Sequence, residues 1–339
     1  LALTESTNRY ELADFSEYND IFLLHNSSGK LNGVKESIFM ENIKDYSGRW
    51  RWNMVNDFRP QSIEYSGIKC YPTANYVNYY GMQNGYPIND MTKADAESGY
   101  DPTHPWKNRD PRFYKTIMFD GVKWKSTGGA GGTAELFTGG RESEEANEKK
   151  GCFTAYMNSK LCPQLMNTVD GYKENNIMIL SLMRLADVYL MYAEATAVGY
   201  NGPKGKAATY SLTAEEALNK IRERAGVAPV LDKFLGSTAD FLSELRRERA
   251  VELSFEGFRF IDLRRWMLLT QYPYTLKTKI EFDRADPSDY NYDEPEENAI
   301  KNLREVVLLE RKYTDRHYWY PLPKKDVSMY EGFYQNPGW

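Results

Sequence analysis

Arg184-Leu-Ala-Asp-Val-Tyr-Leu-Met-Tyr-Ala-Glu-Ala195 is the stretch on which the reading of this chain turns. Leu182, Leu185, Ala186, Tyr189, Ala193 and Ala197 recur three or four positions apart, which places them on one side of a single long helix. Gly199 ends it. Downstream, Thr213-Ala-Glu-Glu216 has the spacing of a capping box, in which the Thr hydroxyl and the Glu carboxylate each satisfy a free backbone donor. That second helix stops at Gly226. Ser237-Thr-Ala-Asp240 offers a similar start to a third helix with Leu242, Leu245 and Leu253 along one side, and Gly257 then allows a turn. A fourth helix is expected over about Arg259 to Leu269. The acidic stretch Asp283 to Asn298, with Pro287 and Pro295, interrupts the order; the apolar run Val306 to Leu309 precedes an extended tail.

Upstream the character differs. From Leu1 to about Asn176, Gly, Pro and Asn punctuate the chain and helical periodicity is scarce. Ser37 to Ile43 reads as a strand and Pro72 to Tyr80 as a short helix opened by its proline. Ser126 to Thr133, rich in glycine, and the charged run Arg141 to Lys150 read as an exposed loop. The expectation is a mainly α chain with few short strands, loop-rich over 1–176 and a helical scaffold over 177–339.

Composition removes several classes of function. The 339 residues are 41% hydrophobic and 27% charged, which excludes wholesale disorder, collagen and coiled coil. A net charge of −5 supplies no broad cationic field, so nucleic acid is not an expected partner. The longest apolar stretch, Ile177 to Met183, is far short of the ~20 residues that span a bilayer. Leu1-Ala-Leu-Thr-Glu-Ser6 carries no export signal, so any such signal was removed or lies upstream. Cys70, Cys152 and Cys162 form no CxxC pair, and their odd number argues against a disulfide framework.

Catalytic signatures are few. There is no GxSxG, HExxH, P-loop or complete GxGxxG. His25, His104 and His317 lack ligand spacing and read as surface or packing residues, and no metal or cofactor is expected. Glycoside hydrolysis needs two carboxyl groups across a cleft, and Glu252 and Glu256 share a helix face. Arg246, Arg247, Arg249, Arg259, Arg264 and Arg265 lie around them, and fixed positive charge would depress the raised pKa that a general acid requires. The pair therefore reads as part of a structural ion network. Asp289-x-Asn291-x-Asp293 opens like a calcium loop but lacks the glycine, and Pro295 stiffens the next turn; a solvated loop fits better.

Aromatic content is the unusual quantity: 26 Tyr, 15 Phe and 7 Trp make 14% of the chain. In Tyr46-Ser-Gly-Arg-Trp-Arg-Trp-Asn53, alternation puts Trp50 and Trp52 on one side, between Arg49 and Arg51. Two readings stand. The indoles form a platform that stacks on pyranose rings while Arg49 or Asn53 donates to ring hydroxyls, with Tyr46 as a further ligand-binding residue, or they fill the core from a half-buried strand. Tyr100, Trp106 and Trp124 form a second aromatic group that could line the same groove.

Several segments together resemble the SusD-like (RagB/SusD) family of outer-membrane nutrient-binding lipoproteins of Bacteroidetes. They are Pro72 to Gly85, Asn108-Arg-Asp-Pro-Arg-Phe113, Arg184 to Ala195 and Ala217 to Gly226. Glu248 to Arg259, Asp262-Leu-Arg-Arg-Trp266, Tyr320-Pro-Leu-Pro323 and Gln335-Asn-Pro-Gly-Trp339 come next in the same order. The resemblance implies tetratricopeptide-like helix pairs, an α-α superhelix, supporting a loop-rich binding region; residues 1–176 would then be the ligand-binding portion of one continuous body. It implies a surface-exposed outer-membrane protein with no catalytic activity, which captures oligosaccharide or polysaccharide and passes it to a TonB-dependent transporter. The Leu182 to Gly226 pair would be one repeat. Family members run longer and start with a signal peptide and a lipidated cysteine, so most of the N-terminal repeat region, and the lipid anchor as the sole membrane attachment, are expected to lie outside this chain. Rival readings are a peptide-capturing protein of the same architecture, a glycoside hydrolase and a protein-binding repeat scaffold.

Overall fold

The computed structural model describes residue 7 and residues 9–24, 34–40, 71–123, 133–146, 151–161, 177–178 and 181–339. Short antiparallel pairs tie distant parts of the chain together. β1 (Leu23–Leu24) pairs with β5 (Ile177–Met178), β2 (Ser37–Met40) with β6 (Ser181–Arg184), and β3 (Ile117–Met118) with β4 (Met157–Asn158). Two short helices, α1 (Ala74–Val77) and α2 (Pro111–Thr116), sit in the first half. Asp110 caps α2 by accepting from the Arg112 N–H, and Pro111 fills its first turn, where a missing N–H costs nothing.

The second half holds α3 (Leu185–Gly199), α4 (Ala214–Ala225), α5 (Thr238–Glu252) and α6 (Phe258–Arg265). Thr213 and Glu216 form the expected capping box, and Gly226 ends α4 in the left-handed region, at φ 72°, where a Cβ would be strained. Ser237 accepts from the Asp240 N–H at the start of α5, and Gly257, at φ 91°, turns the chain into α6. Leu185, Ala186, Leu190, Ala193 and Ala197 of α3 pack against Ala217, Leu218 and Ile221 of α4 and against Phe241 and Leu245 of α5. The alanines allow the helix backbones to approach closely.

Two boundaries differ from the periodicity. Leu182 belongs to β6, not to the helix, and is 53% exposed. The helix starts at Leu185 because Arg184 is extended and paired with Ser37 of β2. At the other end, α5 stops at Glu252, so Glu256 lies in the following turn and the two carboxylates do not share a helix face.

The largest unforeseen element is a hairpin of β7 (Leu276–Arg284) and β8 (Ile300–Glu310). The acidic stretch is its connection, and Val306 to Leu309 form part of β8. Thr278, Ile280, Phe282 and Arg284 alternate inward along β7, as the two-residue period of a strand dictates. Ile280 and Phe282 enter a second apolar cluster with Tyr18, Phe22, Val77, Tyr80, Trp106, Phe113, Phe119 and Tyr156. Residues from both ends of the sequence thus close one core.

Candidate ligand-binding site

Buried charge sets the frame on which any site is mounted. Glu252 receives Arg112 Nη1 at 2.9 Å and Arg184 Nη1 at 2.7 Å, and it also pairs with Arg224. Glu256 receives Lys160 Nζ at 2.7 Å and Arg184 Nη2 at 2.8 Å. Glu36, Asp110, Glu244 and Glu248 add further pairs with Arg184, Arg224, Arg112, Arg222 and Arg247. Acids and bases in this group are equal in number, which is how a protein interior tolerates so much charge. Burial alone would raise the Glu252 carboxyl, but Arg224, Arg184, Arg112 and Lys160 hold it well below the usual carboxylate range. The shift runs opposite to the raised pKa that a general acid requires.

The expected ion network therefore exists, with different partners. Arg249 goes to Asp187 and Asp262, and Arg265 to Asp262 and Glu194. Arg264 donates to the Tyr318 carbonyl, and Arg246 lies 5.4 Å from the Trp266 ring centroid. Of the flanking arginines, Arg247 pairs with Glu244, whereas the cations that neutralise Glu252 and Glu256 come from positions 28 to 140 residues away in sequence.

The aromatic platform residues Tyr46, Arg49, Trp50, Trp52 and Asn53, and with them Trp124, lie outside the described residues, as do Cys70, Cys162 and His25. Trp106 is described, and it corrects the expectation of a groove-lining indole. It is fully buried, stacks on Phe119 at 5.0 Å and meets the edge of Phe282 at 5.2 Å. Its Nε1 donates to the Tyr156 hydroxyl at 3.4 Å, so neither face nor edge is open to a ligand. Tyr100 is also interior, its hydroxyl donating to the Met91 carbonyl. Trp106 buries because Phe282 of the hairpin arrives on it from the far end of the chain.

The other polar candidates have local roles. His104 Nδ1 lies 3.0 Å from Asp101 and His317 Nδ1 lies 3.1 Å from the Thr314 hydroxyl. Burial pushes the Cys152 thiol up to about 11, which leaves it unreactive at neutral pH. Asn291 Oδ1 accepts from the Asp293 and Glu294 N–H groups, closing a turn, while Asp293 pairs with Lys123. Among the described residues, no group of three or more His, Cys, Asp or Glu could hold a metal ion.

An open groove of about 560 Å³ runs between α6 and the C-terminal tail, lined by Ile261, Arg264, Arg265, Met267, Asp315, Tyr318 and Trp319. Its volume suits a small-molecule site, and Trp319 is 56% exposed. Contacts within the tail adjoin the groove. Arg264 lies 4.2 Å over the Tyr320 ring, and Gln335 exchanges bonds of 2.7 and 2.9 Å with the Leu322 backbone. Asn336 donates to the Tyr320 carbonyl, and Trp339 Nε1 to that of Arg316. The two C-terminal motifs therefore clamp one another. A second hollow of about 400 Å³ is lined by Met82, Gln83, Asn84, Ser98, Gly99 and Asn108. Its amides are largely committed: Asn84 bonds Ser98 and Tyr86, and Gln83 donates to the Gly226 carbonyl. Sequence reasoning missed the C-terminal groove, whose one visible signal was the aromatic run Tyr318-Trp-Tyr320.

Residues 35–339, from β2 through the clamped tail, match the SusD family model. The chain belongs to the SusD family. Its fold is shared by a SusD-like protein from Bacteroides fragilis NCTC 9343, at 22% identity and TM-score 0.71, covering 97% of this chain and 59% of that one. A SusD-like carbohydrate-binding protein of the same strain is 20% identical with TM-score 0.61, over 96% and 59%. Surface glycan-binding protein A from Bacteroides fluxus is 18% identical with TM-score 0.53, over 100% and 57%. The chain thus spans less than two thirds of the length of each of these three structures. No curated protein matches it. No helix among the described residues is long and apolar enough to cross a membrane.

Proposed function

We propose that this SusD-family chain is a cell-surface glycan-binding protein of the outer membrane, a lipoprotein in its whole form, that captures oligosaccharides and hands them to a TonB-dependent transporter without cleaving a bond. The observation that carries this reading is the family match over residues 35–339. In this reading α3 and α4 form one tetratricopeptide-like pair of an α-α scaffold, and portions 1–176 and 177–339 make one continuous body. Ligand contacts are assigned to Tyr46, Arg49, Trp50, Trp52, Asn53 and Trp124, without Trp106. Flat aromatic faces with polar neighbours suit pyranose rings, and the exposed Trp319 groove adds a surface of the same kind. Many wet hydrogen bonds give modest affinity, which suits capture followed by release.

The identity of Glu252 and Glu256 as neutralised scaffold supports binding over hydrolysis. Peptide capture would favour a cleft of free amides, and the Asn84 and Gln83 amides are already bonded. Affinity electrophoresis against a panel of polysaccharides is expected to show retarded migration that Trp50→Ala with Trp52→Ala abolishes, with no reducing ends released. Binding to a peptide array but to no polysaccharide would overturn the reading.

A further inference from the structure

Among the described residues, most buried cations of this protein meet a carboxylate; a partly exposed group of three cations does not. Lys277 stands near the start of β7, opposite Leu309 of β8. Arg311 comes directly after β8, its N–H donating to the Thr275 carbonyl at 2.9 Å and its Nη1 to the Tyr313 hydroxyl at 2.6 Å. Arg259, from the first turn of α6, places its guanidinium 4.7 Å from the Tyr79 ring centroid and 5.5 Å from that of Tyr274. Its side chain hydrogen-bonds Tyr79, while its buried Nη1 meets no acceptor. Burial first, then Arg311 and Arg259, pull the Lys277 ammonium down to about 8, and no carboxylate is among the groups that act on it. Arg311 and Arg259 both act on Lys277, Arg259 lies beside two tyrosine rings, and none of the three cations makes an ion pair with a described carboxylate. Elsewhere in the same molecule Arg112, Arg184, Arg222 and Arg284 each hold acids at close range.

Mutual repulsion and an unfilled donor both have one remedy, an anionic oxygen group placed between the three side chains. The adjacent aromatic faces suit a sugar ring that carries such a group. We propose that Lys277, Arg259 and Arg311 form a subsite for the anionic group of a saccharide, a carboxylate or a sulfate ester, with Tyr79 and Tyr274 beside it. The subsite rests on the glycan-capturing reading and narrows it to acidic glycans.

Calorimetry with polygalacturonate, dextran sulfate and neutral dextran tests it on the whole chain. At least one acidic polymer is expected to bind, with the responding polymer identifying carboxylate or sulfate, and the binding should weaken as salt is added. Lys277→Met should lower that affinity at least about tenfold, the scale of a lost charge-assisted hydrogen bond. Arg311→Gln, at an exposed position, should lower it in the same direction with an unchanged melting temperature. Acidic polymers that bind both variants as tightly as the parent would overturn the subsite. So would polyglutamate binding as tightly as the acidic polysaccharides. Retention of neutral glycans without any acidic polymer bound would overturn the subsite and leave glycan capture standing, whereas failure of neutral and acidic polysaccharides alike would overturn glycan capture itself.

Discussion

Glu244 and Glu252 show how a residue's surroundings become a property of the whole chain. Burial alone would raise both carboxyls, yet Arg247 and Arg222 bring Glu244 down to about 2, and Arg224, Arg184, Arg112 and Lys160 hold Glu252 well below the usual range. Both pKa values are lower folded than unfolded, so as pH falls the unfolded state takes up protons first. Their contribution is fully present above about 4.5 and is lost as pH falls through the folded values, down to about 2 for Glu244. Urea unfolding across this window should show midpoints that fall steeply, and Glu244→Gln should flatten that slope. A midpoint independent of pH there would sink the account. The sequence made an ion network legible from the crowd of Glu and Arg in Glu248 to Arg265. It could not name the partners, because helical spacing reveals neighbours on one helix, whereas Lys160, Arg184 and Arg112 arrive from other elements.

At the scale of elements, local chemistry governs where helices begin and end. Thr213 and Glu216 satisfy each other's backbone donors at 3.2 and 2.7 Å. Thr213→Ala should therefore destabilise the chain by about 1 kcal/mol, measured by urea unfolding with an unchanged slope, and a loss below a few tenths would mean the box is dispensable. Caps were legible because they are signals of four residues. The β7–β8 hairpin was not. Lys277, Lys279, Glu281 and Asp283 alternate with Thr278, Ile280 and Phe282, a clear period of two, but the acidic connection merges with the strand's polar face and hides its end. Leu182 was misplaced for a related reason. One apolar residue fits a strand and a helical stripe equally well until β2 pairs with Arg184 and decides between them.

For the whole molecule, Trp106 is where the chain closes on itself. Phe119 from the first half and Phe282 from the hairpin pack against it, and the core they share extends from Ala13 to Ile300. Trp106→Ala should cost about 3–5 kcal/mol through lost burial and the cavity left behind, and one cooperative transition should shift as a whole. Thermal unfolding followed by circular dichroism checks this. A cost below about 1 kcal/mol, or a first half that melts alone, would contradict a shared core.

The sequence by itself determined the family, the helix pair read as Leu182 to Gly226, its caps and the presence of an ion network around Glu252, because each is written in residues a few positions apart. Tertiary structure alone decided that Trp106 is interior, that Glu252 and Glu256 are neutralised from afar, and that Lys277, Arg259 and Arg311 meet without an acid. Burial and charge pairing depend on which distant segments come together in space, and no local pattern records that.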